Sequence, residues 1–116
     1  MTIYALSSGT GISGVSIIRV SGADTAKVIK TLTGKEIPSP RRATLRKINN
    51  INTSELIDEG IILWFPGPQS YTGEDMAEIQ IHGSKAVINA LHTSISKIEN
   101  CRLAEPGEFT KLAFQN

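Results

Sequence analysis

PQSYTGEDMAEIQIHGS, residues 68–84, is the stretch on which the fold turns. A turn bounded by proline and glycine delivers Glu74 and Asp75 to the start of an alternating segment. In an extended chain successive side chains point to opposite faces, so Glu78, Gln80 and His82 share one face and Ala77, Ile79 and Ile81 the other. An exposed loop would not need the apolar alternation, and a strand buried on both sides would not carry the polar row. One face is therefore expected to be buried, and the other to hold something.

Outward from this strand the pattern keeps alternating between sheet and helix. Thr2–Leu6 reads as a short strand, residues 7–13 as a Gly/Ser loop, and Val15–Val20 as a second strand. In that second strand Val15, Ile17 and Arg19 fall on one side, with Ser16, Ile18 and Val20 on the other. Ser21 and Asp24 are spaced as a capping box for a helix that runs to about Leu32 and stops at Gly34. Two prolines keep Lys35–Pro40 irregular. Ala43–Ile48 and Leu56–Phe65 read as a long hairpin around the Asn-rich loop Asn49–Ser54. After the central strand, Val87, Leu91, Ser94 or Ile95, and Ile98 mark the core face of a helix over Lys85–Glu99. Cys101–Ala104 forms a last short strand and Glu108–Phe114 a last helix. The order β-β-α-β-β-β-α-β-α combines hairpins with crossovers, which predicts an α/β (α+β) domain built on a mixed sheet with flanking helices. The final helix is too short to stand alone, so the chain is expected to be one domain, residues 1–116, of a longer protein.

Bulk properties narrow the function. The 116 residues suffice for one core, and 40% hydrophobic with 20% charged residues is ordinary for a globular domain. A net charge of +1 argues against holding a nucleic-acid backbone by electrostatics alone, which calls for a strong basic excess. Arg41, Arg42, Arg46 and Lys47 form a local basic cluster, read as a solvated strand edge in preference to a phosphate contact. Cys101 is the single cysteine and reads as a buried, inert thiol, consistent with a reducing, cytoplasmic setting. No apolar run reaches membrane-spanning length.

Gly9, Gly11 and Gly14 match G-x-G-x-x-G, but the dinucleotide site needs a helix next and a β-branched strand follows. That loop is better suited to wrapping a ligand or partner. His82 and His92 lack companions at metal-ligand spacing, and His92 reads as a surface residue of the second helix. Arg19 is the informative exception. A guanidinium inside an apolar strand must be paired or must face a site, because a bare buried charge costs several kcal/mol. Either Glu78 pairs with it structurally, or both side chains grip a ligand, the carboxylate being suited to a bidentate hold on an amino-pyrimidine N–H pair. Glu74 and Asp75 have a simpler role as turn residues bonded to backbone. Trp64 belongs to the core, and Tyr71 either stacks on a ligand ring or pins its loop, the second being favoured.

GVSIIRVSG (14–22), LWFPGP (63–68), YTGEDMAEIQIHG (71–83) and RLAEPGEFTKLAFQN (102–116) closely resemble, in order, the N-terminal domain of the MnmE (TrmE) family of tRNA-modification GTPases. The resemblance implies a fold like the folate-binding domain of the glycine-cleavage T-protein, a homodimer, and binding of formyl- or methylene-tetrahydrofolate. Arg19 and Glu78 match the family's folate-contacting arginine and glutamate, while a third contact, a lysine, would fall just past Asn116. The chain departs from the family pattern at Ser84, Leu112 and Gln115, where glycine, arginine and leucine are usual, although Ser84 can still cap a helix. The resemblance further implies a GTPase domain with GTP, magnesium and potassium elsewhere in the protein, and an FAD-dependent partner of the MnmG type. In the family the folate supplies the one-carbon unit for modifying the wobble uridine of tRNA, and this domain alone carries out no chemistry. The competing expectation is a structural dimerisation and partner-docking module whose folate site is degenerate.

Overall fold

The computed structural model describes residues 1–7 and 14–116. Nine elements follow in the expected order: β1 (Thr2–Leu6), β2 (Val15–Ser21), α1 (Thr25–Thr33), β3 (Thr44–Asn49), β4 (Leu56–Phe65), β5 (Met76–His82), α2 (Lys85–Ser96), β6 (Cys101–Leu103) and α3 (Glu108–Gln115). The strands form one mixed sheet in the order β3-β4-β5-β2-β1-β6. All neighbours are antiparallel except β1 and β6, which run parallel. The α/β expectation with a mixed sheet therefore holds, and β3 and β4 form the expected hairpin.

The alternation read in the sequence decides which face is sealed. Ile18, Val20, Ile62, Trp64, Ala77, Ile79 and Ile81 join one cluster with Val28, Ile29 and Leu32 of α1 and Leu91 and Ile95 of α2. Both helices thus cover the same side of the sheet, giving two layers around one core. Removal of that apolar area from water stabilises the fold at roughly 25 cal/mol per Å². The opposite face carries Ala5, Arg19, Glu78 and Leu63 in one cross-strand row and Ile17, Gln80, Ile61 and Leu45 in the next. α3 borders this face, with Phe109 and Thr110 beside a cavity that Ala5 and Arg19 also line, but none of its side chains is fully buried.

Two local expectations change. Ser21 does not open α1: it is the last residue of β2, between Ile3 and Met76, and its hydroxyl is taken by Thr72 at 2.8 Å and Glu74 at 3.1 Å. The helix starts after Gly22, whose φ of 138° and close approach to Thr2 exclude a side chain. Asp24 sits at its N-cap without making a side-chain capping bond. Gly34 does end it, in the left-handed region at φ 69°, as a C-terminal glycine should. Second, α2 stops at Ser96, three residues before the expected end, and Ser84 caps its start by accepting a 3.1 Å bond from the Val87 N–H. The Gly9–Gly11 part of the glycine motif lies outside the described residues, but the element after Gly14 is indeed a strand.

Candidate functional site

β2 and β5 are register partners, and Arg19 stands directly opposite Glu78 on the uncovered face. Arg19 Nε lies 3.5 Å from Glu78 Oε2, with the side chains 34% and 22% exposed. At that separation the two attract as charges, yet Arg19 Nε is buried and has no hydrogen-bond partner. A pair that is close but not hydrogen-bonded leaves both groups with capacity for a third party. The guanidinium carbon also lies 5.3 Å from the centre of the Tyr71 ring, within cation–π range.

Phe65, Tyr71 and Met76 complete a cavity of about 150 Å³ with Arg19 and Glu78. Its floor follows from strand register, since Phe65, Met76 and Ser21 are cross-strand neighbours at one end of the open face. Its rim is the 66–75 loop, held by hydrogen bonds other than Tyr71's. Asp75 accepts from the Gly67 N–H at 2.9 Å, Ser70 Oγ donates to the Glu74 carbonyl, and buried Thr72 bonds Ser21. Glu74 and Asp75 are therefore turn-bridging residues. Tyr71 is 53% exposed under Arg19, so its ring faces the cavity instead of pinning the loop. Met76 and Thr72 were not singled out from the sequence, and Phe65 was read with Trp64 as core and strand end, whereas it is half-buried in the cavity wall; the register Phe65–Met76–Ser21 was the signal that could have found them.

Further along the open face, His82 Nδ1 lies 2.8 Å from Asp58 Oδ1, and the His82 N–H donates to Asp58 Oδ2 at 2.8 Å. Burial raises the Asp58 carboxyl, but its bonds to His82 outweigh this and leave it below the usual range. His92 is not a surface residue. It is half-buried with its ring centre 5.5 Å from that of Tyr4, its Nε2 has no partner, and desolvation lowers its pKa. Cys101 is half-buried instead of buried, and burial pushes its thiol up, which keeps it protonated and unreactive. The basic cluster lies on and beside edge strand β3, with Arg41 donating to the Gln69 carbonyl. None of the four lines the Arg19–Glu78 cavity, although Arg41 holds its rim loop.

The turn between β6 and α3 is fixed by a fork. Arg102 donates from Nη1 to Glu108 Oε1 at 2.8 Å and from Nη2 to Oε2, while Glu108 Oε1 also accepts the Glu105 N–H at 2.9 Å. These bonds hold the Glu108 carboxyl down at about 2. At its other end α3 is tied to the site loop, Asn116 Nδ2 donating to the Thr72 carbonyl at 2.8 Å.

The chain is a two-layer α/β domain with one sealed face and, on the open one, an arginine–carboxylate couple beside an aromatic ring. Residues 2–116 match the family described as "GTP-binding protein TrmE N-terminus", and the chain belongs to that family. It is 80% identical over its whole length to the "tRNA modification GTPase MnmE" of Pelagibacter ubique, covering 26% of that protein. It is 50% identical over 97% of its length to the "5-taurinomethyluridine-[tRNA] synthase subunit GTPB3, mitochondrial" of Danio rerio, covering 22% of it. The "tRNA modification GTPase MnmE" of Zymomonas mobilis is 44% identical over 99% of the chain. The chain spans about a quarter of the length of these relatives.

Proposed function

We propose that this domain holds a reduced folate, formyl- or methylene-tetrahydrofolate, for a tRNA-modification GTPase. The observation that carries the reading is the opposed Arg19–Glu78 couple with its unsatisfied Nε beside the Tyr71 ring. A reduced pterin has N–H groups for a carboxylate, a carbonyl for a guanidinium and a flat face for an aromatic ring, so the residues present fit it. When bound, the folate would supply a one-carbon unit. Glu78 accepts from the ring N–H groups, Arg19 donates to a carbonyl or carboxylate of the ligand, and Phe65 and Met76 exclude water from the ring edge.

The wider reading follows the family resemblance. The domain pairs with a second copy, works with an FAD protein of the MnmG type, and serves modification of the wobble uridine in the cytoplasm, while GTP hydrolysis with magnesium and potassium belongs to a separate domain. Within the described residues no helix is long and apolar enough to cross a membrane. Calorimetric titration of formyl-tetrahydrofolate tests the proposal, with Arg19→Ala and Glu78→Ala alongside. Each substitution removes a charge-assisted hydrogen bond and is expected to weaken binding by about tenfold or more. Unchanged affinity in both folded variants would remove these two residues from the site. Absence of binding, here and in a chain lengthened past Asn116, would favour a docking module without folate.

A further inference from the structure

The sheet has two edges, and they differ. β6, at one edge, is three residues long, while β3, at the other, runs for six with no strand beside it among the described residues. Alternate residues of such an edge turn an N–H and a C=O away from the sheet, and these groups suit another extended chain. Leu45, near the start of β3, is 58% exposed, an apolar side chain set among polar ones.

Arg41, Arg42, Arg46 and Lys47 lie along this edge, and none of them enters an ion pair among the described residues. Arg41 and Arg46 donate to main-chain carbonyls, those of Gln69 and Leu45, and Lys47 stands opposite Glu59 without closing on it. The chain's net charge is +1, so everything outside the four cations sums to −3 and the positive charge is concentrated here. Register places cations on both sides of the strand. Lys47 and Leu45 share the open face, while Arg46 lies with buried Ile48 on the face that the helices cover. These facts select the occupant. A second copy brings the same cations to the contact, and like charges opposed across a ladder repel. A phosphate backbone meets outward carbonyls, acceptors to which it has nothing to donate. An acidic peptide satisfies the carbonyls with its N–H groups and the cations with its carboxylates.

We infer that the β3 edge is a docking site for an extended acidic segment of a partner protein, which joins the sheet as one more strand. Antiparallel addition is the commoner pairing and the one this sheet uses everywhere except between β1 and β6. It puts an acidic residue opposite Lys47, a second opposite Arg46, an apolar one opposite Leu45, and a further acidic one level with Arg42. Neighbouring residues of the added strand point to opposite faces, so two consecutive acidic residues reach the cations on both. The charges that keep copies of the chain from pairing edge to edge thus choose the strand that is admitted. No residue lining the Arg19–Glu78 cavity takes part, and the inference is independent of the folate reading.

The test is the end-blocked peptide Glu-Glu-Val-Thr-Val-Glu titrated into the ¹⁵N-labelled chain near physiological ionic strength. Amide shifts are expected along Thr44–Asn49, and none there would overturn the assignment. The same peptide with proline at its fourth and fifth positions keeps its charge but loses main-chain donors, and is expected to bind about tenfold more weakly or worse. Equal binding would reduce the contact to loose charge attraction and overturn strand addition. Arg42→Glu combined with Lys47→Glu changes two exposed side chains and is expected to weaken the acidic peptide about tenfold. That variant is expected to gain binding of Lys-Glu-Val-Thr-Val-Lys, whose lysines face the two substituted positions, a gain that misfolding cannot produce. Undiminished binding of the acidic peptide, or no gain by the second one, would overturn the assignment. Tighter binding of a uridine hexanucleotide would make this an RNA edge, and β3 shifts that grow with protein concentration alone would make it a contact between copies. Either result overturns the inference.

Discussion

Replacing Gly60 by alanine tests whether the open face is held in register by backbone contact. Gly60 is buried within β4, and a Cβ built there would stand 2.1 Å from the Gln80 carbonyl oxygen and 3.3 Å from Ile81 Cγ2. The nearest atom is backbone in a central strand, so no rotamer change relieves the clash. β4 and β5 must separate locally by about 1 Å, and overpacking on that scale costs about 2–3 kcal/mol. For a domain of this size that lowers the melting temperature by about 10 °C. Thermal unfolding followed by circular dichroism measures it, with urea titration confirming that the slope is unchanged. The strain also falls two residues from Glu78, so amide shifts at Glu78 and Arg19 are expected to move together. Melting within about 2 °C of the parent, with those amides unmoved, would refute the reasoning.

Other outcomes follow from the same contacts. Leu91→Ala removes a fully buried side chain from the α2–sheet contact and is expected to cost about 2–5 kcal/mol by urea unfolding. Glu108 has a folded pKa of about 2, below its unfolded value, so its contribution is full above about pH 4.5 and is lost as pH falls toward 2. Glu108→Gln should therefore flatten that acid limb in melts recorded against pH, and an unchanged limb would dismiss the fork as a stabiliser. The basic cluster, in a chain of net charge +1, should give no salt-dependent tRNA shift near physiological ionic strength. A clear shift that vanished on mutating Arg41, Arg42, Arg46 and Lys47 would reverse that.

The elements legible in the sequence were those governed by period. The alternation in 76–82 and 15–20 gave both strands and the correct burial of each face, because a two-residue repeat leaves no freedom once one face is sealed. Arg19 and Glu78 stood out individually, and their being directly opposite follows from that register. What escaped depends on contacts between distant segments. Ser21 carries the local spacing of a helix cap, but its hydroxyl was claimed by Thr72, 51 residues away. His92 looked like a surface residue because nothing local reveals that Tyr4 would lie against it.

The one-sided covering of the sheet has an evolutionary consequence. Residues that decide whether the chain folds, such as Ile18, Val20 and Ile79, alternate along the same strands with residues of the proposed site, such as Arg19 and Glu78. Neighbours in sequence thus answer to different selective demands. A lineage can retune what the exposed row recognises while its interior stays nearly constant, so divergent specificity is accessible through single substitutions that leave the protein folded.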